Sequence, residues 1–418
     1  MSNPSNVYDF VVVGAGAAGC VVAARLSEGG DARVLLLEAG SATPPPGSTI
    51  PPVWPTLAAT KWNWADSSTV QVATGKSTPV PRGRGVGGSS AINAMIFARG
   101  HRDSYSAWAD RGAKNWSFDD LLPYFMRSET ATGGDPALRG VDGPIVVAPA
   151  DPLHDLHACG LAAAIESGYR RAADISGGLE VGFGPVDLNI ISGRRQSAAD
   201  AYLWPAANRP NLHLVTDAVV SGLLIKRGRC IGVEYRAHEG KHVSRVSAGQ
   251  VVLTAGAIGS AHLLLASGIG PQSHLREVGI DVCVDLPGVG ANLQDHAWGM
   301  VTYRASRPVP AGRNNHGEVI GLIHSEKASG APDLQIIFSE SPAEFSVGKP
   351  LHGNDRRGKS GMVGVSGIDN GYEIGIGFSI LQPHSRGTIR LSGAHSPPVI
   401  DPNYFGDDRD MRTMIAGL

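Results

Sequence analysis

Residues 9–40 read DFVVVGAGAAGCVVAARLSEGGDARVLLLEAG. An apolar run leads into a glycine turn, which is followed by an alanine-rich stretch with apolar residues at helical spacing and then by a second apolar run. Gly29 and Gly30 are expected to end the helix, which the spacing places at about residues 17–27. The stretch therefore predicts a strand, a helix and a second strand.

Three glycines in the turn have the spacing of a dinucleotide-binding fingerprint. Gly14 allows a sharp turn, Gly16 lets the backbone approach a pyrophosphate, and Gly19 permits close packing of the helix. The helix N-terminus then faces the negative charge. Glu38 ends the second strand, where its carboxylate is expected to accept hydrogen bonds from the adenosine ribose hydroxyls and to repel a 2′-phosphate. The pattern predicts a dinucleotide site but does not distinguish FAD from NAD.

Length and composition indicate an ordinary globular protein of two domains. The chain has 418 residues, of which 42% are hydrophobic and 18% are charged, so it can bury a large core and is not a disordered chain. The formal net charge of -2 gives no electrostatic reason to expect a nucleic acid or an anionic membrane as partner.

The cysteines and the apolar runs bear on location. Cys20, Cys159, Cys230 and Cys283 lie far apart, and no Cys-x-x-Cys pair suggests a redox motif or a metal site. No apolar run approaches the roughly 18 residues that span a bilayer, and residues 1–8 lack the order of a signal peptide. These features predict a cytoplasmic protein without a membrane span.

The rest of the chain divides into further strands and helices. Strand-like runs alternate with polar turns over 212–254, and 257–267 has helical spacing, so we expect the chain to return to the first sheet. Strand candidates at 334–338, 374–381 and 388–391 predict a second domain.

Two longer motifs carry a family resemblance. Residues 82–100, RGRGVGGSSAINAMIFARG, resemble the first signature of the glucose-methanol-choline (GMC) oxidoreductases, and residues 256–270, GAIGSAHLLLASGIG, resemble the second. The stretches LPGVGANLQDH at 286–296 and DPNYF at 401–405 extend the similarity along the chain. In the first motif, closely spaced glycines let the backbone lie against a phosphate or a flat ring.

The resemblance implies a fold of the α/β plus α+β class, in which a discontinuous Rossmann-like FAD-binding domain accompanies a second domain built on an antiparallel sheet. We place the FAD-binding domain at residues 1–155 and 195–305 and the substrate-binding domain at 156–194 and 306–405. Residues 406–418 are expected to begin a segment that returns to the FAD-binding domain.

The resemblance also implies FAD as cofactor and the oxidation of an alcohol to a carbonyl compound, with oxygen or another acceptor taking the electrons. Some family members attach the flavin covalently through a histidine that aligns with Ile92, and isoleucine cannot form that bond. FAD is therefore expected to be non-covalent, and no metal site is predicted. Trp62 is expected near the nucleotide, with a core position as an equal alternative.

Together, the fingerprint and the resemblance assign these residues to the FAD site: Gly14, Gly16, Ala17, Ala18, Gly19, Glu38, Ala39, Gly40, Trp62, Arg84, Val86, Gly88, Ser89, Asn93, Ala94, Met95, Val220, Ala255 and Gly256.

The resemblance places the catalytic base beyond the given residues. Family members have a catalytic histidine, paired with a second histidine or an asparagine, in a segment after the DPNYF-like motif. All fourteen histidines of this chain precede that place, so we expect the pair beyond Leu418 and the chain to be a fragment; a natural short form is the alternative. Structural roles are expected for the Asp295–His296 pair and for the histidines of the second domain, namely His316, His324, His352 and His384.

Several functions remain open at this point. The substrate could be choline, an aryl or furanic alcohol, pyridoxine or a sugar. A flavin-bound lyase of the hydroxynitrile-lyase type and a catalytically incomplete flavin-binding fragment are alternatives to an alcohol-oxidising enzyme. A nicotinamide-dependent dehydrogenase would share the fingerprint but not the two signatures.

Overall fold

Two large sheets organise the protein. The computed structural model describes residues 7–237, 242–325, 330–340, 372–394 and 396–418. One sheet has six strands and the other has five, and both are built from segments that are far apart in the sequence. His352, one of the histidines considered above, lies outside the described residues.

The six-stranded sheet is the core of the N-terminal fingerprint unit. Its first four strands in spatial order pair in parallel, and the last two are antiparallel. The order is Leu212–Val215, Val34–Leu37, Val7–Val13, His242–Leu253, Arg229–Ala237 and Ala218–Lys226. The chain thus returns to its first sheet, which confirms the discontinuous arrangement expected from the sequence.

Both faces of the parallel strands are covered. The predicted helix forms over Ala17–Leu26 and packs on one face, where Val12 and Leu36 are fully buried. The second helix, Gly256–Ala266, packs on the opposite face, where Val13 and Leu37 are buried. Because they are buried on two sides, the segments Val11–Val13 and Val34–Leu37 are continuous apolar runs without polar alternation.

The five-stranded sheet is antiparallel throughout. Its spatial order is Trp298–Arg304, Glu373–Ile380, Leu334–Ser339, Val319–Ile323 and Gly182–Pro185. The helix Asp155–Glu166 packs against one face through Leu161 and Ala164. Two of these strands were predicted from the sequence, and the antiparallel second sheet is confirmed.

The predicted domain boundaries stay predictions, and two elements make contacts across them. The strand Trp298–Arg304, in the part expected to bind FAD, pairs with Glu373–Ile380 in the five-stranded sheet. The hairpin of Thr388–Leu391 and Pro398–Asp401, in the other expected part, packs on the helix Gly256–Ala266. Pairing and packing across such long sequence separations leave no local pattern in the sequence.

The remaining elements are short. The other helices are Trp54–Leu57, Arg102–Asp110, Phe118–Ser128, Trp204–Ala206, Gln272–Glu277 and Asp408–Gly417. A small mixed sheet contains Ile96–Phe97, Asp187–Leu188, Ile145–Pro149 and Glu129–Ala131, and short two-stranded pairs form at Asp66–Ser67 with Pro79–Val80, Ile190–Ile191 with Arg194–Arg195, and Ile269–Gly270 with Val284–Asp285. Within the described residues, no helix has the length and apolarity needed to cross a membrane.

A buried ion network holds the small mixed sheet together. Glu129 is fully buried and accepts from Arg99 Nη2 at 2.6 Å and from Arg139 Nε at 2.8 Å. Arg139 also contacts Asp174 at 2.8 Å and Asp187 at 2.5 Å. Because every member has an oppositely charged partner, removing one would leave an uncompensated buried charge, which is strongly destabilising.

A second buried cluster lies beside the five-stranded sheet. The ring of fully buried His157 lies 3.3 Å from Glu318 and 2.9 Å from Glu340, and Nδ1 of His316 lies 2.9 Å from the other oxygen of Glu340. Burial alone would lower the pKa of His157, but the two carboxylates outweigh burial and raise it. The two carboxylates thus favour the charged form of His157.

The close packing of Gly19 predicts that the fingerprint helix tolerates no side chain at this position. A Cβ at this position would stand 1.8 Å from the carbonyl oxygen of Gly14 and 2.9 Å from Thr254 Oγ1. We expect Gly19→Ala to lower the free energy of unfolding by about 2 kcal/mol or more, because backbone cannot move aside. Gly29→Ala is the matched control, since nothing lies within 4 Å of its Cβ position. Equal denaturation midpoints for the two variants would contradict the packing argument.

The His157 cluster predicts a pH dependence of stability. Because the folded pKa is raised, the cluster stabilises the fold fully below the unfolded value near 6.5 and loses that contribution as the pH rises through the folded pKa. Each pKa unit by which folding raises the value for His157 contributes about 1.4 kcal/mol to the free energy of unfolding. Denaturant unfolding at pH 6 and pH 9 should show a smaller loss for His157→Gln than for the wild type. His324→Gln, at a histidine that contacts a carbonyl oxygen, should keep the wild-type loss; equal pH dependence in all three proteins would contradict the assignment.

Candidate functional site

The candidate site lies at the carboxyl ends of two parallel strands. Val13 pairs with Leu253, and each strand continues through a short turn into a helix. The two turns are in contact, because a Cβ on Gly14 would lie 2.8 Å from the carbonyl oxygen of Thr254. The Thr254 hydroxyl also donates to the carbonyl oxygen of Gly14 at 2.8 Å. This edge is where open α/β sheets bind dinucleotides.

Both helices present free backbone donors at this edge. The helix Ala17–Leu26 begins after Gly16 and the helix Gly256–Ala266 begins after Ala255, and neither preceding residue offers a side-chain cap. Ala17, Ala18 and Gly256 are exposed. First-turn N–H groups have no partner within a helix, and together with the helix dipole they favour an anion. The two helix starts can therefore hold phosphate groups.

A second glycine-rich loop lies against the first. A Cβ on Gly88 would stand 2.7 Å from Gly16 Cα, so the two backbones approach as closely as glycine allows. Gly87 and Gly88 have φ values of 95° and 52°, in the left-handed region that favours glycine. Gly87 N–H donates to the carbonyl oxygen of Ala15 at 2.8 Å. The two glycine loops form the two walls of a cradle. Because both walls are bare backbone, the residues fit an extended dinucleotide.

The Glu38 side chain stabilises the first glycine turn through hydrogen bonds to backbone N–H groups. Its side chain is buried, with one oxygen accepting from Ala15 N–H at 2.8 Å and the other from Gly40 N–H at 2.9 Å. Burial raises the pKa of this carboxyl group, although the backbone donors oppose the shift. Each carboxylate oxygen keeps a further lone pair. The ribose contact foreseen from the sequence stays a prediction.

The predicted adenine contact lies close to this acid in the fold. Ala218 N–H donates to the carbonyl oxygen of Glu38 at 2.9 Å, and Asp217 N–H donates to that of Gly40 at 2.9 Å. The strand that begins at Ala218 therefore brings half-buried Val220 to the Glu38 end of the sheet. Its contact with the adenine stays a prediction.

Trp62 has the core position that the sequence left as an alternative. The indole is 2% exposed and packs with Leu57, Ala91 and Ile92. A Cβ on Gly85 would lie 2.2 Å from the ring, so the indole supports the backbone of the glycine loop. Its side chain has almost no surface left for a ligand.

Arg84 has a free donor beside the same loop. Its guanidinium lies 5.1 Å from the ring centre of Trp64, and its Nε is buried without a hydrogen-bond partner among the described residues. An unpartnered buried donor is costly. An acceptor supplied by a bound group would satisfy it, which agrees with the predicted cofactor contact.

Two further predicted residues act within the loop itself. The Ser89 hydroxyl accepts from Gly83 N–H at 3.1 Å, which closes the loop, and the residue is exposed. Val86 is 3% exposed and packs in the core of the first helix. The half-buried Ala39 follows Glu38 at the same edge.

The segment that follows the loop is held in a strained conformation. Met95 has a φ of 58° and is fully buried. Its N–H donates to Asn93 Oδ1 at 3.1 Å, and its carbonyl oxygen accepts from Asn189 N–H at 3.0 Å. The carbonyl oxygen of Ala94 accepts from Asn315 Nδ2 at 2.8 Å. Asn189 and Asn315 were missed from the sequence because no local motif identifies them.

The histidines considered from the sequence have structural contacts. His316 is 4% exposed, and its ring nitrogens lie 2.9 Å from Glu340 and 2.8 Å from the carbonyl oxygen of Pro52. His324 Nε2 lies 3.0 Å from a backbone carbonyl oxygen. His384 is exposed, and its N–H donates to buried Asp410 at 2.7 Å. None of the three is arranged as the base of the site.

The Asp295–His296 pair also has a structural arrangement. Asp295 accepts from its neighbour's N–H at 3.0 Å and from the hydroxyl of Tyr404. Burial and this hydrogen bond raise the pKa of Tyr404. Asp295 therefore joins the loop before the strand Trp298–Arg304 to the DPNYF motif.

Comparisons with known proteins agree with this geometry. Models of the GMC oxidoreductase family match residues 8–298 and 383–418. The chain is 33% identical to an oxygen-dependent choline dehydrogenase of Rhizobium rhizogenes, covering 96% of this chain and 74% of that protein. It is 35% identical to a mitochondrial choline dehydrogenase of Homo sapiens, covering 98% of this chain and 72% of that protein.

Solved structures share the whole fold. The pyridoxine 4-oxidase structure from Mesorbium loti superposes with a TM-score of 0.89 at 34% identity, covering 98% of this chain and 79% of that one. A formate oxidase of Aspergillus oryzae, in a structure concerned with FAD modification, has a TM-score of 0.85 at 26% identity and covers 99% and 80%. The chain therefore belongs to the GMC oxidoreductase family, FAD-binding flavoenzymes that act on the CH–OH groups of alcohols.

Proposed function

We propose that this protein binds FAD without a covalent bond in the cradle between the two glycine loops and oxidises a primary alcohol to an aldehyde. The observation that supports this most directly is the backbone contact of Gly88 with Gly16, which leaves a bare-backbone groove at the carboxyl ends of parallel strands. A Cβ on Gly88 would stand 2.7 Å from Gly16 Cα, so a side chain there would prevent this approach.

Different residues of the cradle would bind different parts of FAD. The glycine turn 14–19 and the exposed starts of both helices would bind the pyrophosphate through N–H groups. Glu38 would accept from the ribose, and the backbone of Val220 would contact the adenine. Bound FAD supplies the acceptor for the hydride that leaves the carbinol carbon. The backbone of residues 93–95 would lie beside its ring.

The substrate site would lie where the two sheets meet. Asn315, which precedes a strand of the five-stranded sheet, contacts the backbone of Ala94, and His316 contacts the 50–57 loop. These contacts bring the antiparallel sheet beside residues 93–95. Choline and pyridoxine, named for two of the relatives, both carry a CH₂OH group, which supports a primary alcohol as the substrate class.

Proton transfer needs a base near pH 7, and a neutral imidazole suits that role. His316, His324 and His384 have the structural contacts described above, so we propose none of them as the base. The electron acceptor would be oxygen or another oxidant. A reducing compartment such as the cytoplasm is supported by the free thiols of all four cysteines.

An anaerobic spectrum tests the reaction. The full-length protein reconstituted with FAD should lose its visible flavin band when primary alcohols such as choline or pyridoxine are added, since reduced flavin does not absorb there. A tertiary alcohol is the control, because its carbinol carbon has no hydride to transfer. A flavin band that no primary alcohol changes would contradict alcohol oxidation by this chain, and cleavage of a cyanohydrin without bleaching would favour a lyase.

Denaturation tests the non-covalent attachment. Ile92 stands in the position of the covalent histidine and packs beside Trp62 with 7% of its surface exposed. We expect acid precipitation to leave all flavin in the supernatant, because isoleucine has no atom that can bond to the ring. Yellow colour that remains with the washed pellet would show that another residue forms the bond.

A further inference from the structure

Arg195 is a buried cation without an acidic partner. It ends the short hairpin Ile190–Ile191 and Arg194–Arg195 and is 5% exposed. Among the residues that the structure describes, no carboxylate forms an ion pair with it. Burial lowers its pKa to about 10, only partly opposed by the charge of Asp200. Arginine is almost never fully buried unless paired, so this position needs a reason.

The guanidinium instead contacts two segments that are distant in sequence. Its Nε donates to the carbonyl oxygen of Ser48 at 2.8 Å. Its Nη1 donates to Asn93 Oδ1 at 2.7 Å and to the carbonyl oxygen of Ser90 at 3.2 Å. The backbone N–H of Arg195 adds a bond to the carbonyl oxygen of Thr49 at 3.1 Å. One residue therefore joins the 48–49 segment to the end of the second glycine loop.

The contact with Asn93 reaches the strained turn. The same Asn93 oxygen also accepts from the N–H of Met95, whose φ of 58° is unfavourable for a side-chain-bearing residue. Strained backbone persists only where surrounding contacts determine it. By fixing the Asn93 carboxamide, Arg195 determines which way the backbone of residues 93–95 faces.

The remaining donor of Arg195, its Nη2 group, makes no salt bridge to any described residue, which favours a positioning role. Nη2 of Arg195 is buried without a partner in the described part of the chain. Asp200, whose charge acts on Arg195, accepts instead from Ser197 N–H at 2.8 Å and from the Ser197 hydroxyl at 2.7 Å. The planar guanidinium can reach three acceptors in fixed directions, whereas a lysine ammonium on a flexible chain cannot.

We propose that Arg195 is a positioning residue of the FAD site. It holds the Ser90–Asn93 segment against residues 48–49 and so keeps the backbone of residues 93–95 in the conformation that receives the flavin. The inference rests on the proposed function, because it assumes that this segment contacts FAD.

FAD titration of purified apoprotein tests the proposal without any turnover. Arg195→Met should weaken FAD binding roughly 10- to 100-fold, the effect of losing charge-assisted bonds at a buried site. Arg195→Lys should recover only part of the affinity. Arg194→Met is the matched control, since this neighbouring arginine is exposed, and it should bind FAD as the wild type does. The visible circular dichroism of the bound flavin should change in both Arg195 variants and not in the control.

A double-mutant cycle separates positioning from a general loss of stability. Asn93→Ala alone should weaken FAD binding, and adding it to Arg195→Met should cause little further loss, because both changes remove the same contact. If Arg195→Met cannot be purified as a folded protein, Arg195→Lys takes its place in the cycle. Additive losses, or equal FAD affinity in the Arg195 and Arg194 variants, would overturn the proposal. Failure of the wild type to bind FAD would overturn the proposed function instead.

Discussion

The parallel pairing of Val7–Val13 with His242–Leu253 is the constraint on which the rest of the site depends. It places the turn at Gly14 against Thr254 and directs the starts of two helices to one edge of the sheet. The second glycine loop can approach only because Gly88 lacks a side chain, since a Cβ there would meet Gly16 Cα. Every feature of the cradle therefore follows from two adjacent strand ends and the absence of Cβ atoms between them.

Local patterns in the sequence predicted the local structure well. The first helix was expected at about residues 17–27 and forms at Ala17–Leu26, because apolar spacing and the glycine turn act within a few residues. The pairing of Trp298–Arg304 could not be predicted, because its partner strand begins at Glu373. Pairing over that separation depends on the completed fold and has no signature in either strand alone.

The same limit applies to the site. The glycines and Glu38 could be assigned from spacing, since the fingerprint is a local motif with a known physical purpose. Asn315 and Arg195 could not, because a polar residue outside any motif looks like a surface residue until the structure shows that it is buried. The sequence left Trp62 open between a nucleotide contact and a core position, because aromatic character fits both. In the structure its ring is buried against Gly85.

The discontinuous first sheet also has a consequence for synthesis on the ribosome. The central strand Val7–Val13 emerges early, yet one of its two neighbours is His242–Leu253. Until that later strand has left the exit tunnel, the nascent chain presents an apolar strand with one unpaired edge, which is prone to association with other chains. Native pairing between such distant segments is also slow to form. The arrangement that creates the cofactor edge therefore leaves a strand edge open to wrong pairing for most of the time that the chain is being synthesised.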